Sequence, residues 1–391
     1  MDESRRALSP RVPSLMLAAV AALGIAVAGC GSSDTQKSSS TAGGTAPAKT
    51  SSEPAGVQEA EKFVADHSAA PTSIGDLPPL SKKPPTGKKI LYLSCGVPLC
   101  TLIGKGVQDA TKQLGWSFQT LTAGALPETV SNAWNQAVRL KPDAVLSVAA
   151  PTVLYKKQQA ELGKETIGHV AQAILDQPGN GLIAVLSGRQ NYIDRGKWMA
   201  NWVVADTKGK ANVLYFTTPD FPIVTPSVEG FKSEVARLCP TCKVDAHEVP
   251  TSSIGKALPN DVVTAAQRNP EANYVVVPYG DMTIGIPQAL QAAGLASRVK
   301  VVSANPALTN LANIKSGTAE VASVAEGNQM SGWMMVDAVV RKLVGDELPL
   351  AQYETLPPHQ YLTAANIDDP KVPYVGVPDY QAKFESLWKL R

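Results

Sequence analysis

Little in this chain invites catalysis. Histidine occurs only four times in 391 residues, as His67, His169, His247 and His359. None stands in a Ser/His/Asp or Cys/His arrangement, so a nucleophilic triad has no base to name. Gly-x-Ser-x-Gly and Gly-x-x-x-x-Gly-Lys-Ser/Thr are both absent, which removes the strained nucleophile turn and the phosphate cradle. Aromatic residues make up 6% and charged residues 18%, with a net charge of +2 and no long basic or acidic run. A nucleic-acid partner would need a basic face interleaved with aromatics and is not expected. Beyond the N-terminus no apolar run reaches the roughly 20 residues that a membrane span requires.

What is present begins with a leader. Arg5, Arg6 and Arg11 precede an apolar run from Leu15 to Ala28, broken only by Gly24. That length suits the core of a secretory signal. It ends in Val27-Ala28-Gly29-Cys30 and turns polar at once. The arrangement resembles the bacterial lipoprotein box, which implies lipidation of Cys30 and anchoring to the outer face of the cell membrane. Residues 31 to 56 are rich in Ser, Thr, Gly and Ala without periodicity, as in a flexible tether. A short amphipathic stretch and a Pro-rich lead-in, IGDLPPLSKKPPTG, follow to residue 87.

From Lys88 the pattern alternates. KKILYLS, WSFQTLTA and DAVLSVAA read as strands, separated by helical stretches such as TLIGKGVQDATKQL and TVSNAWNQAVRL. The near-continuous apolar DAVLSVAA suits a parallel sheet covered on both faces. After Lys208-Gly209 the alternation restarts with ANVLYFTT, SVEGFKSEVARL, ANYVVVPY and RVKVVSA. Strands alternating with helices of this length predict an α/β fold with two doubly wound Rossmann-like lobes. The apolar helix MSGWMMVDAVVRKLVG, with Trp333, Met334, Met335 and Val336, reads as core. The expected map is a leader over 1–30, a tether and lead-in over 31–87, a first lobe over 88–208 and a second over 209–322. Residues 323–391 then supply a hinge crossover, a return helix to the first lobe, and a C-terminal hinge segment and helix.

Leader, tether and two serial lobes together resemble the type I periplasmic binding proteins. The local wording agrees: Pro98 through Gly106 and Gly115-Trp116, NAWNQAVRLKPDAV, Glu229-Gly230-Phe231, Asp281-Met282 with Gly285, and Val301-Val302 leading to Asn305. The resemblance implies a multi-strand hinge, a small-molecule ligand between the lobes, an ABC permease as partner and most often a sugar as cargo. It implies no enzyme activity, no cofactor, no metal and a monomer. The rival readings are a sensing lobe that signals to a membrane receptor, an exported α/β enzyme, and a ligand-independent surface role.

Carrying family positions over gives an expected ligand set. Val97, Leu99 and Cys100 stand where the family often places Asn and aromatics, and Thr225 where Arg is common. Tyr279 precedes Gly280 where an Asn-Asp pair is usual, and Asn305 replaces an Asp. Gln172, Asn191, Asp281 and Glu326 keep some polarity, and Tyr192 or Phe221 could stack on a ligand. Arg189 and Arg195 flank one loop, each readable as a cleft residue or a solvated surface arginine. Fewer paired carboxylates and guanidiniums means fewer bidentate bonds to vicinal hydroxyls. A ligand less hydroxylated than a simple aldose, such as a small aromatic or carboxylated compound, is therefore expected.

Besides Cys30, four cysteines form two local pairs, Cys95-x4-Cys100 and Cys239-x2-Cys242. In an exported chain these read as disulfides Cys95–Cys100 and Cys239–Cys242. A four-thiolate zinc site and a redox dithiol are the competing readings. Zinc would require two pairs to meet that the two-lobed fold holds apart.

Overall fold

The computed structural model describes residues 54–164 and 166–391. The leader, Cys30 and the tether up to residue 53 lie outside the described residues. In chain order the elements are α1 (Ala55–Asp66), β1 (Lys89–Ser94), α2 (Pro98–Gln113), β2 (Ser117–Thr122), α3 (Pro127–Leu140), β3 (Ala144–Val148), α4 (Lys156–Leu162), β4 (Gly168–Gln172) and β5 (Leu182–Leu186). There follow α5 (Arg189–Asp206), β6 (Asn212–Thr217), α6 (Thr225–Leu238), β7 (Lys243–Glu248), α7 (Leu258–Arg268), β8 (Tyr274–Val276), α8 (Ile286–Ala292), β9 (Lys300–Ala304) and α9 (Leu308–Lys315). The chain ends with β10 (Glu320–Glu326), α10 (Asn328–Val344), α11 (Leu350–Thr355), β11 (His359–Thr363) and α12 (Tyr380–Leu387).

Two sheets form. The first is wholly parallel in the order β2-β1-β3-β4-β5, and the second runs β11-β10-β9-β8-β6-β7 with β11 antiparallel at its edge. The expected α/β fold of two parallel-sheet lobes is what the chain adopts. Central strands such as β3 are buried at every residue, whereas the edge strands β2 and β7 hold no buried residue. Runs apolar on both faces go to the middle of a helix-covered sheet.

The lobe boundaries differ from those expected. Helix α5, placed in the first lobe by its position before residue 208, packs instead on α6 and on strands of the second sheet. The chain therefore leaves the first lobe at Ser187-Gly188, where both residues donate backbone bonds to the later crossing at Tyr353, Glu354 and Leu356. It returns at Gly327, because β10, expected to straddle residue 322, belongs entirely to the second sheet. Helix α10 then packs on α2 of the first lobe. Its Trp333, Met334, Met335 and Val336 are fully buried, as read. Buried Asp337 ties it to α11 and α12, accepting from Tyr353 Oη at 2.6 Å, Trp388 Nε1 at 2.7 Å and Arg341 Nε at 2.8 Å.

The expected amphipathic stretch and Pro-rich lead-in are folded against both lobes, and helix α1 begins at Ala55, just inside the expected tether. Val57 and Ala60 of α1 are buried among Met199, Val203 and Leu238 of the second lobe, and Phe63 meets Trp198 edge-on at 5.3 Å. Ile74, Leu77 and Leu80 are buried in the other core cluster beside α10 and α12, with Arg341 Nη2 donating to Pro78 O at 2.8 Å. Residues 55–80 thus strap one lobe to the other; the apolar period of α1 had a partner face some 140 residues downstream.

Candidate functional site

The carboxyl ends of both sheets face one cleft. The geometry follows from parallel strands, whose connecting loops all emerge at one edge. Pro98 opens α2 at the position where its missing N–H leaves nothing unsatisfied. The loop before it is stapled by Cys95–Cys100, while Cys239–Cys242 closes a turn after α6 of the second lobe. Both expected disulfides are formed, and the two thiol pairs sit in different lobes.

Between the lobes lies a cavity of about 40 Å³, room for about three waters, so that any larger occupant requires the lobes to part. The first lobe lines it with Cys95, Val97, Leu99, Cys100, Ile103, Val148, Ala149, Gln172 and Ala173. Helix α5 adds Tyr192 and Arg195, and the second lobe adds Phe221, Ile223, Val224, Tyr279 and Asn305. Ala149, Ala173 and Asn305 each follow a strand end with φ of 63°, 58° and 48°. Left-handed backbone at non-glycine residues costs about 1–2 kcal/mol each. Such strain collects where a site dictates the chain path.

Eight of the twelve expected ligand residues line this cavity: Val97, Leu99, Cys100, Gln172, Tyr192, Phe221, Tyr279 and Asn305. Four do not. Thr225 is exposed at the start of α6, because Phe221 and Ile223 occupy the inward positions of that loop. Asn191 is buried but spent on structure, donating to Thr355 O at 3.0 Å and accepting from Arg195 Nη2 at 2.9 Å. Glu326 lies behind the wall as the counterion of Arg195. Asp281 stands at the lobe junction, where its Oδ2 accepts the Leu99 backbone N–H at 3.2 Å.

Arg195 is the residue whose role sequence left undecided. It is fully buried, bonded to Glu326 Oε1 at 2.6 Å, and its guanidinium sits 3.9 Å from the Tyr192 ring centroid. Its neighbour in sequence terms, Arg189, is exposed and pairs with Glu229 at 2.5 Å. With its amide oriented to satisfy both partners, Asn305 donates to Glu326 Oε2 at 3.2 Å and accepts from Arg195 Nη1 at 3.0 Å. His359 Nε2 lies 3.1 Å from Glu326 Oε1, and burial holds that imidazole down to about 4, so it is neutral near pH 7. The Tyr279 phenol is pushed well above its ordinary range, chiefly by burial, and stays protonated. Burial also raises Asp281, opposed by the bond from Leu99.

The chemistry on offer is recognition. Among the described residues no group of His, Cys, Asp and Glu is placed to hold a metal ion, and no helix is long and apolar enough to cross a membrane. At the wall Arg195 and Asn305 are fixed by Glu326, while Gln172 and Tyr279 present polar atoms that no protein group satisfies.

A family model described as a periplasmic binding protein domain matches residues 95–347. Among solved structures, a glucose-galactose binding protein from Geobacillus stearothermophilus is similar with a TM-score of 0.63 at 17% identity, over 72% of this chain and 99% of that one. The 5-methylthioribose transporter solute binding protein from Thermotoga lettingae gives 0.65 at 19%, over 80% and 100%. A sugar ABC transporter protein from Yersinia enterocolitica gives 0.66 at 18%, over 80% and 99%. No curated protein sequence matches the chain.

Proposed function

Since the chain belongs to the periplasmic binding protein domain family, of type I, we propose that it captures a small molecule between its lobes and delivers it to an ABC permease. The family consists of extracytoplasmic solute-binding proteins, not enzymes. The observation that carries the reading is the cavity shared by the carboxyl ends of both sheets, with the chain crossings at Ser187-Gly188, Gly327 and Leu356 behind it to act as a hinge. A ligand bridging the lobes stabilises the closed form, and the permease reads closure. The protein acts as a monomer held to the outer face of the membrane by lipid on Cys30, with the following polar residues as its leash.

The cargo is less hydroxylated than a simple aldose. Of the lining side chains only Gln172, Arg195, Asn305 and the two tyrosine hydroxyls are polar, and two of these are already engaged with Glu326. Pockets of this kind take apolar ligands oriented by a few polar contacts.

A thermal-shift library of sugars, aromatic acids, amides, alcohols, amino acids and sterol-like compounds tests the reading. A true ligand at 100 times its dissociation constant adds about 2.7 kcal/mol and raises the unfolding temperature visibly. Failure of every member to stabilise the protein would sink solute capture. For the anchor, Cys30→Ala should abolish membrane retention; unchanged retention would remove the lipid.

A further inference from the structure

If the cleft holds a solute, as proposed above, its unsatisfied polar atoms limit what that solute can be. Three side chains on the wall carry a buried polar atom without a partner: Gln172 Oε1, Tyr279 Oη and Arg195 Nε. Gln172 is 3% exposed at the end of β4 in the first lobe, and Tyr279 is 5% exposed after β8 in the second. They approach the cavity from opposite lobes. Buried polar groups are almost always paired, so three orphans around one cavity mark the points where a ligand completes the bonding. Gln172 Oε1 requires a donor. Tyr279, whose hydroxyl stays protonated, and Arg195 Nε supply donors and require an acceptor.

The charge balance is already closed. The Arg195 guanidinium has its counterion in Glu326 at 2.6 Å, and the remaining Glu326 oxygen takes Asn305. A ligand carboxylate would bring a second anion beside Glu326 into a low-dielectric space, uncompensated. A polyol fares no better. Its several hydroxyls would meet Val97, Leu99, Val148 and Phe221, and each one left unmatched weakens binding by about tenfold. Phe221 and Tyr279 meet edge to face at 6.1 Å and 74°, an arrangement that a third ring can extend.

We propose that the ligand is a small uncharged aromatic molecule that donates one hydrogen bond to Gln172 Oε1 and accepts from the Tyr279 hydroxyl and Arg195 Nε. Benzamide has this inventory, with its N–H and C=O on one side of a ring. Benzoate is its charged isostere.

Titration calorimetry on the full chain with benzamide, benzyl alcohol, benzoate and D-ribose tests the assignment. The two neutral aromatics should bind, with benzoate and D-ribose at least about tenfold weaker. Tyr279→Phe removes an oxygen that has no partner in the protein, so thermal unfolding of the unliganded chain should stay level or rise. The same variant should weaken benzamide by about tenfold, and Gln172→Leu should do likewise. Tyr279→Phe with unchanged benzamide affinity overturns the proposal, as does silence from both neutral aromatics. Tighter binding of D-ribose or benzoate would overturn the ligand class while leaving solute capture standing. Only silence from all four probes together with no stabilisation across the wider library takes both down.

Discussion

The backbone N–H of Leu99 in the first lobe donates to Asp281 Oδ2 in the second at 3.2 Å. The first turn of α2 thus has one of its free N–H groups completed by a carboxylate from the opposite lobe, the pairing that a helix N-terminus favours. Such a bond exists only when the lobes are closed. Asp281→Ala should shift the unliganded protein toward the open form, raising its radius of gyration in solution scattering and weakening ligand by about tenfold, the scale of one charge-assisted hydrogen bond. Asp281→Asn keeps an acceptor and should fall between. Scattering curves that superimpose for parent and Asp281→Ala would show that this contact does not hold the lobes.

The fold was legible because parallel sheets write themselves as apolar runs separated by helices, and β1, β3, β6 and β9 all obey. What local pattern could not reveal is allegiance. Helix α5 buries Asn191, Tyr192, Arg195 and Gly196 on one side, yet nothing in that face says which sheet it covers. The edge strand β11, His359–Thr363, is short and mixed in polarity, and it becomes a strand only because β10 offers it an antiparallel edge. The site was legible to a similar depth. Loops after parallel strands face the cleft whatever their residues, which placed Val97, Gln172, Tyr279 and Asn305. The Arg195–Glu326 pair spans 131 residues, and no spacing rule brings it together.

Stability should pass through a maximum near pH 6.5. Burial raises the Glu320 carboxyl from 4.5 to about 7, against the hydrogen bonds from Asn310, Ser303, Asn313 and Thr283 that pull it down. Between those values the native state keeps a proton that the unfolded chain has lost, so stability falls as pH rises from 4.5 to 7. His169 and His359 act oppositely. Burial lowers them from 6.5 to about 3 and about 4, so the native state refuses protons that the unfolded chain takes up, and stability falls as pH drops below 6.5. Between 4.5 and 6.5 the two histidines oppose Glu320 and the burial-raised Asp281, and above 6.5 the carboxyls are left unopposed. Glu320→Gln should therefore gain on the parent with rising pH, by about 3 kcal/mol at pH 8 relative to pH 4. Urea unfolding at the two pH values measures it; an equal difference at both would refute the assignment.

The two disulfides should separate stability from binding. Cys95–Cys100 closes a loop that lines the cavity, and Cys239–Cys242 closes one after α6. Loops this short restrict the unfolded chain by only about 2 kcal/mol each. Replacing Cys95 and Cys100 together with serine should lower stability by that amount and also weaken ligand, since Val97 and Leu99 lose their frame. Replacing Cys239 and Cys242 should lower stability alone. Calorimetric affinities for both double variants decide between these outcomes, and equal affinities would detach the first staple from the site.

Each lobe holds its crossover helix through paired glycines. A Cβ on Gly106 of α2 would stand 1.9 Å from Gln329 O, and one on Gly332 of α10 would stand 2.4 Å from Ile103 O. In the second lobe Gly196 of α5 and Gly230 of α6 repeat the arrangement, at 2.0 Å from Ser227 O and 2.1 Å from Ile193 O. Glycine to alanine inside a helix ordinarily gains about 1 kcal/mol. Here the obstacle is backbone, which cannot rotate aside, so the helices must separate and the sign reverses. Gly106→Ala and Gly230→Ala should each lower stability by about 3 kcal/mol, the upper range for overpacking. Lys105→Ala, on the exposed side of the same turn as Gly106, should change it little. Thermal unfolding of the three variants ranks them, and a higher unfolding temperature for Gly106→Ala would show that α2 and α10 do not approach this closely.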